Sequence, residues 1–207
     1  MNHQGKHVLF LVTSVVKVRD GYKSVFTAEE RFQQTVLTIK TIRNKLPLAT
    51  IVVLEASYGC KTLVMFDDVF MFYIDHELIE EGGEAKILQI FLNSSCYKSL
   101  TQTSNYMVCK ISGRYFLDHH FDMSKNFHPT KINCRVKKNI ALIKSLFAFP
   151  SFLSDFILKR LQYVMDATPP YNHIEYHLLR NVSDDLLNKI DVIGVSGFRN
   201  SGKFVTY

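Results

Sequence analysis

The sequence contains no tryptophan, and among its 207 residues there are only four cysteines and five prolines. The cysteines are widely spaced and form no C-x-x-C pair, so neither a zinc ribbon nor a redox motif is supported. They are Cys60, Cys96, Cys109 and Cys134. We expect reduced thiols in a cytoplasmic protein.

Features that divide a chain into parts are also missing. There is no repeat of fixed period, no low-complexity tract and no Gly/Ser linker. The apolar run near the start, residues 7–16, is too short to span a bilayer and has no small-residue cleavage site. We therefore predict a single domain over residues 1–207 that begins with a strand rather than a signal peptide.

Positive charge is what the composition has in excess. The 25 Lys and Arg against 19 Asp and Glu give a net charge of +6 and a pI near 9.1, and the 47% hydrophobic content is sufficient for a full core. The charge favours a partner that carries negative charge: nucleic acid, a phosphate-bearing small molecule or an anionic membrane surface.

Strand and helix patterns alternate in the first half of the chain. Thr27 and Glu30 form a capping box, and apolar residues at helical spacing continue from there to Pro47. Residues 49–57 then form a β-branched run that is typical of a parallel strand buried on both faces. Further strands are predicted in 67–76 and 106–112, with a helix from Glu84 between them. This alternation predicts an α/β sheet.

The patterns are weaker in the second half. Residues 138–149 are predicted to be extended, and Pro150 is placed at the start of an amphipathic helix. A Pro-Pro pair then introduces a second helix over 171–182. The tail, residues 189–207, has the pattern of a strand, a Gly-punctuated turn and another strand.

The tail contains a segment with the spacing of a phosphate-binding loop. Gly197 to Lys203 satisfies G-x-x-x-x-G-K, but Phe204 stands where Ser or Thr should hold magnesium. The helix that such a loop must start is not indicated either. We interpret the segment as a surface hairpin turn.

A cluster of acids and histidines follows the strand predicted in 106–112. Asp118, His119, His120 and Asp122 lie within five residues, and carboxylate and imidazole groups together suit divalent metals. Adjacent histidines point to opposite sides of an extended chain, so at most one could join the aspartates at a metal. A metal site and a solvated loop are both open alternatives.

Two cations lie at the end of the same strand. An arginine such as Arg114 can grip phosphate oxygens bidentately, and a lysine such as Lys110 supplies a point charge. Equally, the two can form surface salt bridges, with Asp118 or Asp122 as partner. The residues alone leave both interpretations open.

Glu175 lies on the predicted helix over 171–182, where a partly buried carboxylate could act as a general base. His173 and His177 flank it at i and i+4, a spacing that can hold metal, but the order is not the H-E-x-x-H of zinc proteases. We expect this face to be structural.

Five stretches carry a family resemblance: "FTAEERFQQTVLTIKTIRNKLPLATIVVLEAS", "GGEAKILQIFL", "KISGRYFLDHHFD", "IEYHLL" and "IDVIGVSGFRNSG". Together they resemble a group of small GT-A-fold, glycosyltransferase-like proteins of bacterial surface-polysaccharide gene clusters and large viruses. The stretches occur in the right order over nearly the whole chain.

The resemblance implies a GT-A-like α/β domain with a Rossmann-like nucleotide-binding half and a mixed central sheet flanked by helices. It also implies a nucleotide-sugar-dependent glycosyltransferase of the hexosyltransferase type. Such an enzyme adds a sugar to a surface glycan of the lipopolysaccharide or capsule type, with a glycan or lipid-linked acceptor. We expect the protein in the cytoplasm, with peripheral contact to the anionic inner face of the membrane.

By the same resemblance, the nucleotide binds at the carboxyl ends of the parallel strands, as the switch-point rule for open α/β sheets also indicates. The expected nucleotide-sugar neighbours are Thr13, Ser14, Arg31, Glu55, Gly82, Gly83, Glu84, Lys110, Ser112, Gly113 and Arg114.

The sequence departs from the usual GT-A pattern at residues 112–114, where most members place an Asp-x-Asp motif that holds Mn²⁺ or Mg²⁺. An arginine there would repel the metal. Either Lys110 and Arg114 neutralise the diphosphate directly, or an ion is held by Asp118 or Asp122. We favour the first, metal-independent alternative, because it agrees with the positive net charge.

Transfer to an acceptor hydroxyl needs a base, and the candidates are Glu175 and, second, Asp122. Two other functions stay open: a catalytically inactive nucleotide-sugar-binding domain, suggested by the missing Asp-x-Asp, and a basic nucleic-acid-binding protein. The basic stretch that suggests the latter is Lys131, Arg135, Lys137, Lys138 and Lys144. We expect no nucleic acid, because there is no base-reading motif and no tryptophan.

Overall fold

A computed structural model describes residues 7–18, 24–58, 67–79, 83–137, 140–141, 145–166, 174–199 and 201–207. The strands are β1 (His7–Ser14), β2 (Thr50–Glu55), β3 (Phe70–Tyr73), β4 (Tyr106–Ser112), β5 (Tyr115–Leu117), β6 (Ile132–Lys137), β7 (Ile140–Ala141), β8 (Leu146–Pro150), β9 (Leu187–Ile190), β10 (Val195–Phe198) and β11 (Phe204–Thr206). The α-helices are α1 (Ala28–Lys45), α2 (Gly83–Asn93), α3 (Ser95–Thr101), α4 (Met123–Asn126), α5 (Ser154–Asp166) and α6 (Ile174–His177).

The main sheet is mixed, as the sequence predicted. Within the described residues it has eight strands, in the order β3-β2-β1-β4-β8-β6-β7, with β9 paired to β6 outside this path. β3, β2, β1 and β4 are parallel to their neighbours in this run, and β6 and β9 form another parallel pair. β8 is antiparallel to both β4 and β6. The strand order reverses between β1 and β4, which makes this the switch point of the sheet.

Both faces of the central strands are buried. Leu9 and Leu11 of β1 pack in the core beneath α2 and α5, whereas Phe10 and Val12 pack in the core beneath α1. This arrangement explains the continuous apolar run of the strand, because a parallel strand covered on both faces has no polar side.

α1 forms as the capping box predicted. The Thr27 hydroxyl accepts a hydrogen bond from the Glu30 N–H at 3.2 Å, and the Thr27 N–H donates to the Glu30 carboxylate at 2.7 Å. The helix ends at Lys45, two residues before Pro47. The long helix between β1 and β2 is therefore confirmed.

A small antiparallel sheet lies beside α1, in the order β11-β10-β5. The hairpin between β10 and β11 contains the G-x-x-x-x-G-K segment, which leads into a strand and not into a helix. Gly202 in its turn has φ +79°, a left-handed conformation that glycine adopts without strain. The hairpin interpretation is confirmed.

Two boundaries differ from the predictions. Of the helix predicted over 171–182, the described part is helical only over Ile174–His177, and turns follow up to Asn181, which has φ 58°. Residues 167–173 lie outside the described ones. The other helix begins at Ser154, because Pro150 still belongs to β8 and a 3₁₀ turn intervenes.

None of the helices in the described residues combines the length and the apolar character needed to cross a bilayer. Within the same part of the chain, Cys96, Cys109 and Cys134 are free thiols.

Candidate functional site

Polar side chains gather where the three neighbouring parallel strands β2, β1 and β4 end. Register pairs Thr13 with Ser112 and Ser14 with Glu55, so these four residues lie side by side at the carboxyl edge of the sheet. All four are buried. We call this edge, together with Gly113, the rim; ligands of open α/β sheets bind in the crevice at such a switch point.

On the α2 face, the rim is built around one carboxylate. Glu84, in the first turn of α2, receives a hydrogen bond from the Thr13 hydroxyl at 2.6 Å and an ion pair from the Lys110 ammonium at 2.7 Å. Lys110 is completely buried, whereas the Glu84 side chain is 22% exposed. Glu84 is thus the member of this cluster that a ligand can reach.

This arrangement corrects one of the two alternatives for Lys110. A surface salt bridge with Asp118 or Asp122 is wrong, because the ammonium lies inside the protein and pairs with Glu84. The cause is strand alternation: Lys110 shares the α2 face of β4 with Val108, where a charge needs a buried partner. Lys110 therefore lies below the rim, and its proposed contact with a diphosphate stays a prediction.

On the α1 face, the turn after β4 is packed tightly against the helix. Ser14 Oγ lies 3.3 Å from Thr35 Oγ1, and the Thr38 hydroxyl donates to the Gly113 carbonyl at 3.1 Å. The Gly113 N–H donates to the Thr13 carbonyl at 2.8 Å. A Cβ on Gly113 would lie only 2.6 Å from Thr35 Oγ1, so the close approach of helix and turn requires glycine.

Two arginines share the α1 side of the rim. Arg31 is anchored by hydrogen bonds from Nε to the Val15 carbonyl at 2.6 Å and from a terminal nitrogen to Ser24 Oγ at 3.2 Å. The pKa of Arg31 is lowered mainly by burial and further by the positive charge of Arg114, whereas the Glu55 carboxylate raises it. Arg31 and the half-buried Arg114 thus lie in the same part of the rim.

Glu55 closes the rim at the end of β2. Its Oε1 accepts hydrogen bonds from the Val16 N–H at 3.2 Å and from the Ser57 hydroxyl. Its Oε2 is buried and has no hydrogen-bond partner among the described residues. Because an unpaired buried acceptor is costly, an N–H or O–H of a ligand would be stabilised at this oxygen.

The acid and histidine cluster lies elsewhere. β5 leads away from the rim along α1, since the Thr38 hydroxyl bonds to Tyr115 near its start and the Thr41 hydroxyl accepts from Leu117 at its end. Asp118 follows β5, and its carboxylate accepts from the His120 N–H at 2.9 Å and from the Ser196 hydroxyl at 2.7 Å. Asp118 therefore stabilises a turn.

Asp122 has a similar local role. It is the N-cap of α4 and accepts from the Ser124 hydroxyl at 2.7 Å and from the Lys125 N–H at 3.1 Å. The Ser124 hydroxyl is the main cause that lowers the pKa of Asp122, and the Lys125 N–H adds to it. The carboxylate is therefore held in its ionised form.

The two histidines do not point to opposite sides, so that expectation was wrong. Their ring centroids, in His119 and His120, are 3.8 Å apart, because the chain makes a turn here instead of continuing extended. In the part of the chain that the structure describes, no group of three His, Cys, Asp or Glu side chains could hold a metal ion.

Glu175 lies in α6, but its side chain is outside the described part, as are Gly82 and His173. The helix packs against α5, where Arg160 donates to the backbone carbonyls of His177 and Leu178, each at 2.8 Å. The role of Glu175 as a base therefore stays a prediction.

No protein-family profile and no curated protein sequence matches the chain. Several solved structures are similar to it. A 4-diphosphocytidyl-2C-methyl-D-erythritol synthase from Anaerococcus prevotii has a TM-score of 0.52 at 12% identity, with 99% of this chain and 92% of that chain covered.

Two sugar-transferring proteins are also similar at lower scores. A glycosyltransferase involved in glycosylation of the major capsid of PBCV-1 has a TM-score of 0.45 at 4% identity, covering 88% of this chain and 82% of that chain. Mouse xyloside xylosyltransferase 1 has a TM-score of 0.34 at 11% identity, covering 84% and 78%.

The strand order and the likeness to the synthase confirm the predicted fold class. The protein is a GT-A-like α/β protein, with a Rossmann-like half that ends in the rim and a mixed sheet flanked by helices. At this identity the likeness shows the fold alone, so the activity has to be argued from the site.

Proposed function

We propose that the protein is a nucleotide-sugar-dependent glycosyltransferase that binds its donor at the rim. The observation that carries this proposal is the anchored guanidinium of Arg31, which is held at the rim by the Val15 carbonyl and Ser24 Oγ, together with the position of Arg114 in the turn that follows β4. A diphosphate placed between the two guanidinium groups would accept charge-assisted hydrogen bonds from them.

Arg31 and Arg114 would also stabilise the transition state of the transfer. In glycosyl transfer, negative charge grows on the departing nucleoside diphosphate, and fixed cations at that position stabilise the transition state more than the ground state. Arg31 is already held by Val15 and Ser24, so little reorganisation is needed when the charge develops.

Glu84 would bind the other part of the donor. Its carboxylate is held by Lys110 and Thr13 and remains partly exposed, so it can accept a hydrogen bond from a ribose or sugar hydroxyl. Lys110 compensates the charge of this carboxylate, which otherwise would repel the diphosphate.

We propose that the reaction does not depend on a metal ion held by this chain. The fold family implies Mn²⁺ or Mg²⁺, but the described residues do not fit a site for it at the rim. Glu84 is paired with Lys110, Glu55 offers only one unpaired oxygen, and Asp118 and Asp122 stabilise turns away from the rim, so the described residues supply no group of three metal ligands there. Turnover should persist in excess EDTA. Complete loss with rescue by Mn²⁺ would contradict this.

For the acceptor base we prefer Glu175 to Asp122. The Asp122 carboxylate has a lowered pKa, which makes it a poorer proton acceptor. Glu175→Gln should abolish turnover and leave nucleotide binding nearly intact. Wild-type turnover in this variant would remove Glu175 from the mechanism.

The acceptor class rests on the resemblance and on the charge. We propose a surface glycan of the lipopolysaccharide or capsule type, with a hexosyl donor, and contact of the basic protein with the anionic inner membrane face where lipid-linked acceptors lie.

A thermal-shift screen with UDP-, GDP- and CMP-sugars tests the donor proposal, because a ligand that binds only the native state raises the melting temperature. One class should raise it. Arg114→Gln should abolish most of that shift, whereas Lys40→Gln, which removes an exposed charge on α1, should not. Equal shifts in both variants would contradict a site at Arg114.

A second candidate reaction is nucleotidyl transfer, in which negative charge likewise grows on a departing diphosphate that Arg31 and Arg114 could stabilise. The products distinguish the two: glycosyl transfer releases a nucleoside phosphate, and nucleotidyl transfer from a triphosphate releases inorganic pyrophosphate. Donor binding with neither product would indicate the catalytically inactive alternative.

A further inference from the structure

A large polar groove lies between α4 and the pair β6 and β9. Its volume is about 770 Å³. Its lining is His119, His120, Asp122, Lys125, Asn126, Arg135, Lys189, Ile190, Asp191, Val192, Thr206 and Tyr207. None of the arginines or hydroxyl groups of the rim belongs to it.

The groove combines cations with a smaller number of carboxylates. Lys125, Arg135 and Lys189 supply positive charge, and Asp122 and Asp191 supply the carboxylates. A ligand matched to this lining carries a few anionic groups together with hydroxyl donors.

Arg135 is the fixed cation of the groove. Its guanidinium lies 5.7 Å from the ring centroid of Tyr207 and donates to the Thr206 carbonyl at 3.3 Å. A guanidinium stacked in this way is pre-organised for a carboxylate or a phosphate. Lys189 is a less isolated cation, because its ammonium forms an ion pair with Asp184 at 2.8 Å and its side chain is 50% exposed.

Strand register relates the groove to the rim. Lys110 pairs with Phe147 of β8, and Phe147 pairs with Cys134 of β6, so Arg135 stands at the level of Ile111, one residue before Ser112. Only β8 lies between β4 and β6, so the backbones of Ile111 and Arg135 are roughly 10 Å apart at two strand spacings. The groove and the rim therefore belong to the same sheet.

We propose that this groove binds an acidic saccharide, the part of the acceptor glycan that carries carboxylate or phosphate groups. The proposal rests on the glycosyltransferase function proposed above. A nucleic acid fits the lining less well, because Asp122 and Asp191 would face its phosphates, whereas the hydroxyls of a sugar can donate to them.

Calorimetric titration at low salt tests the proposal. The probes are tetragalacturonate, a phosphorylated tetrasaccharide, neutral maltotetraose and a single-stranded oligonucleotide. We expect one of the two acidic saccharides to bind and the neutral one not to. Arg135→Gln should weaken the binding of the acidic probe by about tenfold or more in the dissociation constant, since the substitution removes a charge-assisted contact. Lys203→Gln, an exposed charge outside the groove, should leave binding unchanged.

Lys189→Gln is the second test variant, and melting temperatures of all variants verify folding. Failure of both acidic probes, equal binding of the neutral saccharide, or full binding by Arg135→Gln and Lys189→Gln would overturn the proposal. Tighter, steeply salt-dependent binding of the oligonucleotide would overturn it as well.

The donor screen on the same Arg135→Gln protein separates this inference from the proposed function. We expect the nucleotide-sugar shift to persist in this variant while its binding of the acidic saccharide is weakened. Saccharide binding without any donor-induced rise in melting temperature would contradict the proposed donor site and support the groove as a saccharide site. A donor-induced rise without saccharide binding would support the donor site and contradict the saccharide site.

Discussion

At the scale of single residues, the rim depends on a buried lysine and a partly exposed glutamate. Lys110 has no exposed surface, and its 2.7 Å ion pair with Glu84 fixes the position of a carboxylate that is 22% exposed. Breaking a buried pair by removing one partner is more costly than replacing both, because the remaining charge loses its compensation.

Single and double substitutions of the Lys110–Glu84 pair should therefore differ in their effect on stability. Lys110→Met should destabilise the protein by about 3 kcal/mol, and Glu84→Gln by at least as much, because the ammonium it leaves is fully buried while Glu84 can be hydrated. The double variant should recover part of the loss. Urea unfolding of the four proteins measures this, and strictly additive losses would contradict the ion pair.

The residue scale also shows what the sequence could and could not predict. The family resemblance pointed to Thr13, Ser14 and Glu55, and the structure places them at one edge of the sheet because they end neighbouring parallel strands. The partner of Lys110 was not found, because it lies on a helix whose position depends on tertiary packing. A lysine inside the apolar run "VCKIS" was the available signal that its side chain faces the interior.

At the scale of elements, α1 has a start that can be tested separately. Thr27→Ala removes one half of the capping box and should cost about 1 kcal/mol, whereas Thr27→Ser should retain most of the stability. Chemical unfolding at neutral pH measures both. Equal losses in the two variants would show that the hydroxyl is not the stabilising group.

The same cap predicts a pH dependence. Hydrogen bonds from Thr27, first from its N–H and then from its hydroxyl, lower the pKa of Glu30 in the folded state. The stabilisation is therefore complete above the unfolded-state pKa and is lost as pH falls through the folded one. The stability gap between wild type and Thr27→Ala should narrow when the pH falls from 6 to below 4. A constant gap would contradict this.

The turn between β4 and β5 gives another test. Gly113→Ala would place a Cβ 2.6 Å from Thr35 Oγ1 and 3.3 Å from the Thr13 carbonyl, so we expect a loss of about 1–3 kcal/mol. In a Thr35→Ala background the loss should be smaller, because the first of these contacts is gone. Thermal unfolding of the single and double variants measures it, and an undiminished loss would place the strain elsewhere.

Elements with strong local signals were predicted well, and those that depend on distant partners were not. The cap and the apolar period defined α1, and the glycines defined the hairpin of β10 and β11. The four-residue α6 was predicted as a longer helix, because periodicity alone does not show where a chain turns. The pairing of β6 with β9 joins residues more than fifty positions apart, and short-range patterns carry no information about it.

At the scale of the whole molecule, two polar regions lie on the same β-sheet. The rim lies at the ends of β2, β1 and β4, and the polar groove lies beyond β8 along β6 and β9. Glycosyl transfer requires donor and acceptor to be held together, and a rigid sheet can fix their separation. We therefore place the proposed donor and acceptor at two parts of one sheet.

The most direct test of the central claim is a crystal structure with the nucleoside diphosphate of whichever donor raises the melting temperature most. We predict the diphosphate between Arg31 and Arg114, at the carboxyl ends of β1 and β4. A nucleotide bound elsewhere, such as in the polar groove, with the two arginines making no contact to it, would contradict the proposed donor site.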